Sequence, residues 1–561
     1  MFPQLKVIFV SAALFLFFLL ISSEVNGRLL LAFEDFTLYL NIFIFAYLIF
    51  LLFQIYEFEK LLSYISFTIF VVCLIVSILG ILEFFNFNLL NFQSNARPGS
   101  TLSIRNFASE YAVLAFPFSL IFILKKDNKA IKIFSCFSGL IILVFIFYCR
   151  TRSSFVVLLI YFIILTIYFL FRKYFSERNL IKEYFIIVFL LVTAFLIGMY
   201  SAPNIDKERK SLNNTVTSIL DINYPENSAR INYWKTAVKI FLDEPITGMG
   251  TGSWFGIYPN FNGSIYTDEN ILKTSELNPH NDYLEVLSEN GIFGFVFFIL
   301  VLFTVGLNLL TETKKKTLIL PVLLSFCGFL TVSLLSFPKD NMSLMILFST
   351  QIGISLSLYN TNINKEKKTG NRKVLKIISL VLLSLVLIAI IIFNFIRYNS
   401  EVIYLQSLKD KSAGNYKLML EKFDNINSTL YPLDANKMPV EYYKGVGYFE
   451  LRNYGEAMNS FNEALNLAPY APAIISNIAS SFYMLKDNEN AIKLLVDMKK
   501  DYPFFIEPQI NLLAIYANTG QDSSAQSLLS EISKKSIEHK FVKNYFVLEK
   551  IKDYYNEKNS Y

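Results

Sequence analysis

With 561 residues, 54% of them hydrophobic, 16% aromatic and 17% charged, the chain is too apolar for a soluble protein of its length and reads as a polytopic membrane protein. The net formal charge of +6 is modest, and no nucleic-acid partner is expected. Cys73, Cys136, Cys149 and Cys327 fall inside or at the ends of apolar runs without paired spacing, which supports neither a disulfide framework nor a zinc site.

A hydropathy window of about 19 residues finds apolar runs near 4–22, 36–55, 61–82, 107–124, 131–149, 154–171, 184–201, 292–310, 317–337, 342–359 and 374–396. They predict an all-α polytopic bundle of about eleven spans. Only Lys6 precedes the first run and no small-residue cleavage site follows it, so it is expected to be a retained helix. Lys/Arg-rich loops at 125–132, 172–183, 311–317 and 362–376 alternate correctly if the N-terminus is cytoplasmic. The outer side then receives 83–106, the turn "CRTRSS" at 149–154, the stretch 202–291 and everything after Arg397. Arg150 and Arg152 therefore sit at an outer interface, either snorkelling or forming an anion site.

Within the long outer loop, "SARINYWKTAVKIFLDEP" predicts a helix from near Ser228 to just before Pro245, with Trp234, Val238, Ile240 and Phe241 on its apolar face. The following "GMGTG" is expected to be a flexible turn; it follows no strand, so it is not a phosphate loop. After "LNP", residues 280 to 289 predict the first turns of a helix that enters the membrane at Ile292. Asp282, Glu285 and Glu289 share one face of it and call for a cationic neighbour or a polar ligand. His280, at the helix start, is either a cap or a group able to take a proton at physiological pH.

From about 398 the composition turns to mixed charge. Ala457, Ala491 and Ala525 recur every 34 residues, as do Tyr448, Phe482 and Tyr516. This is the pattern of tetratricopeptide repeats, with three units and a degenerate helical cap at 400–445. Such repeats present a concave surface to a protein, or here simply cap the membrane part. The expected domains are a transmembrane domain at 1–396, with its outer loop at 202–291, and a repeat domain at 397–561.

Arg230 and Trp234, then Pro245 with Gly248, Gly250 and Gly252, then "HNDYLE" at 280–285, and Gly291 and Gly294 together resemble the signature of the bacterial O-antigen ligase and polymerase family, which includes protein O-oligosaccharyltransferases. The resemblance is specific over 228–295 and extends in arrangement over about 90–390. It implies a membrane glycosyltransferase C fold in the cytoplasmic (inner) membrane. The implied reaction moves a glycan from undecaprenyl pyrophosphate to an acceptor hydroxyl on the outer face, with inversion and without a metal or other cofactor. The acceptor would be lipid A core, a protein Ser/Thr or a growing glycan.

On this resemblance His280, Arg230 and Arg152 are the candidate catalytic residues, His280 as base or orienting donor and the arginines for the pyrophosphate. Thr151 stands where the family has serine before its arginine. Arg150, Asn281, Glu285, Tyr283, Trp234, Arg97 and Asn106 are candidate substrate-binding residues, and Arg105 precedes Asn106 where a neutral residue is expected. A glycan carrier or flippase with a partner-binding repeat domain is the competing reading; the clustering of charge outside the spans favours transfer.

Overall fold

The computed structural model describes residues 3–87, 94, 97–125, 128–172, 181–201, 215, 217–219, 221–265, 278–312, 316–358 and 371–538. Most of the basic loops at 172–183 and 362–376, and part of those at 125–132 and 311–317, lie outside the described residues.

The first seven helices are α1 (Pro3–Val25), α2 (Leu29–Ile55), α3 (Phe58–Phe84), α4 (Arg105–Leu124), α5 (Lys129–Cys149), α6 (Arg152–Arg172) and α7 (Ile181–Tyr200). The outer loop contributes α8 (Pro225–Asp243) and α9 (Trp254–Phe261). Then follow α10 (Asp282–Thr311), α11 (Lys316–Leu335), α12 (Met342–Leu358) and α13 (Asn371–Ser412). Among the described residues ten helices are long and apolar enough to cross a membrane, and the apolar α12 of 17 residues is the eleventh of the expected set. The chain is a multi-pass membrane protein.

Helix α4 forms the centre, buried along its length from Phe107 to Leu124. It packs on α3, α5 and α11, while α1 pairs with α10 and α2 with α12. An α-helix satisfies its backbone internally, so side-chain shape decides these pairings in an apolar surround. Gln351, buried in α12, donates to Ser325 Oγ at 2.7 Å, and Ser325 donates on to the Leu114 carbonyl at 2.6 Å.

Polar contacts sort the bundle into two ends. At one end Lys125 donates to Ser63 at 2.8 Å, and Lys132 pairs with Glu183 at 3.1 Å. At the other, Asn26 and Arg28 donate to the carbonyls of Gly248 and Met249, at 2.9 and 3.0 Å. The alternation of ends is the one expected from the loop charges.

Among the described residues the C-terminal part forms three helical hairpins: α15 (Val440–Glu450) with α16 (Tyr454–Leu467), α17 (Pro472–Met484) with α18 (Asn488–Asp501), and α19 (Glu507–Asn518) with α20 (Asp522–Glu538), preceded by the short α14 (Tyr416–Phe423). The second helices begin at Tyr454, Asn488 and Asp522, and Ala457, Ala491 and Ala525, each fully buried, let every pair close up. The hairpins rest on the outer loop: Phe255 of α9 enters their core with Phe461 and Tyr404, and Tyr470 N–H donates to the Gly256 carbonyl at 3.3 Å.

Candidate functional site

Two sites share the loop end of the bundle. The first begins at the turn joining α5 to α6. Arg150 ends α5 in a left-handed conformation (φ 52°), and Arg152 opens α6, so arginines at alternate positions meet one space beside a helix N-terminus. Arg97 and Arg105 reach the same space from the α3–α4 connection and the start of α4. The four arginines line a cavity of about 80 Å³ whose other walls include Tyr148, Thr215, Tyr224 and Glu226. Arg152 donates to Asn227 Oδ1 at 2.7 Å, pairs with Glu226 at 2.5 Å and lies over the Tyr224 ring. Arg97 faces Glu83 at 3.7 Å. Asn106 accepts from Thr151 at 3.3 Å, which ties the base of α4 to the arginine turn.

Arg230, from the first half of α8, donates to the carbonyl of Leu335 at 2.9 Å, at the C-terminal end of α11. Burial, and then the charge of Arg152, lower its pKa, while Glu110 and Glu226 oppose this. Arg230 in turn acts on His280. Burial first and the Arg230 charge second lower the histidine to about 4, so its ring is neutral at physiological pH. His280 is held between Tyr233, stacked at 6.0 Å, and Phe337, edge-on at 4.7 Å. Its Nδ1 is buried and makes no hydrogen bond among the described residues.

His280 is not a helix cap. Asn281 caps α10 by accepting from Leu284 N–H at 3.1 Å, and His280 stands one residue outside at φ 54°, its N–H donating to Asn278 Oδ1 at 3.1 Å. The helix therefore starts at Asp282 rather than at His280.

Two further expectations are corrected. Helix α8 begins three residues earlier than expected, because Pro225 is suited to the first turn. Its buried face runs through Thr236, Ala237 and Ile240, whereas Val238 is exposed, since the loop docks on α10 by that face. "GMGTG" is not a loose turn: Met249 and Gly250 donate to the carbonyls of Ser288 and Glu289, and the amides of Gly252 and Trp254 both hold the Glu289 carboxylate at 2.9 Å. A Cβ on Gly248, whose φ is +69°, would lie 2.4 Å from the Glu289 backbone. The run is a cradle for an internal carboxylate.

The second site receives the acidic face of α10. Lys339, in the 3₁₀ turn at Pro338–Asp340, pairs with Glu285 at 2.7 Å and with Asp35 at 3.0 Å. Burial alone lowers its pKa, but Asp35, Glu285, Glu289 and Asp340 outweigh burial and hold it well above the ordinary lysine value. Lys339 is the cation that the carboxylate stripe required. Glu285 thus belongs to this network and not to the arginine cavity. Tyr283 donates to the Leu330 carbonyl at 2.9 Å, and Trp234 buries an Nε1 that has no partner among the described residues.

The sequence reading missed Tyr233, Glu226, Glu110 and Lys339. Tyr233 is one position from Trp234, and helix phase alone cannot say which of two neighbouring aromatics turns inward. Glu110, fully buried and accepting from Ser153 at 2.8 Å, is a lone carboxylate in an apolar run, a signal that was available. Among the described residues no group of three or more His, Cys, Asp or Glu is placed to hold a metal ion.

Comparison with known proteins converges on this region. Residues 137–299 match a family model described as O-antigen ligase. This stretch is similar to the O-antigen ligase family. The match runs from α5 through the arginine turn, the outer loop and His280 into α10. The match supports O-antigen ligase-type glycan transfer in general as the kind of activity to test for this region. A search of curated proteins finds no match to the chain.

Proposed function

We propose that the protein transfers an undecaprenyl-pyrophosphate-linked glycan to an acceptor hydroxyl at the outer face of the cytoplasmic membrane. The observation that carries this reading is the convergence of Arg97, Arg105, Arg150 and Arg152 on one cavity, with Arg230 coupling electrostatically to both Arg152 and the neutral His280. Departure of a lipid pyrophosphate leaves negative charge on phosphate oxygens, and planar guanidinium groups fixed beforehand lower that barrier. His280 Nδ1 accepts the proton of the acceptor hydroxyl as the oxygen attacks the anomeric carbon. The bond from that carbon to the pyrophosphate oxygen breaks, its electron pair leaves with the lipid carrier, and the anomeric configuration inverts.

Asn281 fixes the helix start beside His280 by capping it, Asn278 holds the His280 N–H, and Asn106 holds the arginine turn through Thr151. Tyr283 and Trp234 act by packing. In this reading the division at about 396 and 397 separates a transmembrane domain from a tetratricopeptide-type repeat domain. The contact of the hairpins with α9 supports placing both on the extracytoplasmic side. It also favours a protein acceptor or protein partner bound by the repeats over a carrier function, because the repeats sit on the loop that bears Arg230.

The test compares lipopolysaccharide, envelope glycoproteins and lipid-linked glycan in cells lacking the protein and in cells complemented with wild type or His280→Ala at matched expression. Glycan should vanish from one acceptor and accumulate on the lipid carrier in the null and the variant alike. A variant indistinguishable from wild type would remove His280 from the chemistry, and an unchanged null profile would remove the function.

A further inference from the structure

A cavity of about 530 Å³ opens between the membrane helices and the C-terminal part, away from the arginine cluster. Its walls come from the starts of α2 and α10, the turn holding Lys339, the stretch of α13 around Phe393 to Glu401, and the loop at 431–437. The size falls within the range of about 300–1,000 Å³ typical of small-ligand sites.

Its charges are already spoken for on the cationic side. Lys339 is taken by Asp35 and Glu285, while Arg397 and Lys437 both pair with Glu34, at 3.2 and 3.0 Å. Acceptors remain in excess. Glu285 is 4% exposed, and its Oε2 makes no hydrogen bond among the described residues although the residue lines the cavity. A buried carboxylate oxygen left so costs free energy unless a donor arrives. Trp254, Phe255, Phe393 and Tyr431 supply aromatic surface to the same walls.

Hydrogen-bond acceptors beside aromatic faces suit a ligand with many hydroxyl donors and weakly polar C–H faces. They repel an anion. Glu285 lies five residues from His280, with one helical turn between it and the Asn281 cap, a rise of about 5.4 Å. We propose that this cavity is a carbohydrate subsite that binds uncharged or amino-sugar residues of the glycan or of its acceptor. The proposal rests on the glycan-transfer reading.

The test titrates the purified full-length protein in detergent with two probes by calorimetry. One is the oligosaccharide released by mild acid from the producing cells' lipid-linked pool, and the other is the delipidated core oligosaccharide of the same cells. Ala435→Trp and Asn394→Trp, both at exposed positions lining the cavity, fill it from two walls. Wild type should bind one probe, and each filling variant should weaken that binding and raise the matching KM by about tenfold with kcat little changed. Arg152→Ala should keep the binding and lose turnover. The probe that responds tells whether the donor glycan or the acceptor occupies the cavity. Failure of wild type to bind either probe, or unaltered binding in both correctly melting variants, would overturn the subsite. Oligosaccharide binding without transfer to any acceptor would instead sink the transferase reading and leave the subsite standing.

Discussion

Glu226 sets its carboxylate 2.5 Å from the guanidinium of Arg152, inside the cavity that four arginines line. A carboxylate is the nearest protein imitation of a phosphate oxygen, and this one holds the place where the donor pyrophosphate is proposed to bind. The side chain of Glu226 is 58% exposed, so an incoming pyrophosphate displaces it cheaply. Glu226→Gln should lower the donor KM by about two- to fivefold, the equivalent of the ~0.2–1 kcal/mol that exposed ion pairs contribute, with kcat unchanged. A rise in KM would show that Glu226 helps to bind the donor instead of competing with it.

His280 controls the pH response. Burial and Arg230 lower its folded pKa to about 4, below the ordinary 6.5. The neutral ring required of a base is therefore fully present above pH 6.5 and is lost only as pH falls through about 4. Stability follows the same sign, because between those values the unfolded chain binds the proton more readily than the folded one. The acid limb of kcat/KM, recorded with the intact protein in detergent, should fall near pH 4. A limb at 6 to 7 would mean that the imidazole is solvated in the working enzyme.

Lys339 anchors the acidic face of α10, with only 8% of its side chain exposed. Lys339→Met leaves Asp35 and Glu285 unpaired, which should cost about 3–5 kcal/mol and show as a lowered melting temperature in detergent. Adding Asp35→Asn should recover part of the loss. Additive losses in the double variant would show that the ion pair contributes nothing.

The hairpins touch the outer loop backbone to backbone. A Cβ on Gly256 would lie 3.0 Å from Ala468 Cα and from the Leu467 carbonyl oxygen, neither of which can move without shifting the helix end. Gly256→Leu should undock the hairpins, exposing α9 to limited proteolysis and lowering turnover while membrane insertion stays intact. Full turnover with the cleavage pattern changed would reduce the hairpins to a cover.

Most of the fold was legible because its determinants are local. Apolar run lengths mark the helices, loop lysines mark the alternation of ends, and the recurrence of Ala457, Ala491 and Ala525 marks the hairpins. The site was legible in its parts and less so in its grouping. Arg152, Arg230 and His280 were named from pattern, but sequence spacing does not tell that Glu285 turns toward Lys339, 54 positions later, rather than toward His280. Nor does the glycine run reveal what it cradles, since Glu289 lies 37 residues from Gly252 and meets it only through the packing of the loop on α10.

The most direct measurement is single-turnover release of undecaprenyl pyrophosphate from lipid-linked glycan by the purified protein, in wild type and in Arg152→Ala, Arg230→Ala and His280→Ala. The account predicts a loss of about a hundredfold or more for each arginine, as when a charge-stabilising group is removed from a transition state, with donor binding weakened chiefly by Arg152→Ala. Wild-type release in both arginine variants, with the proteins folded and inserted, would contradict it.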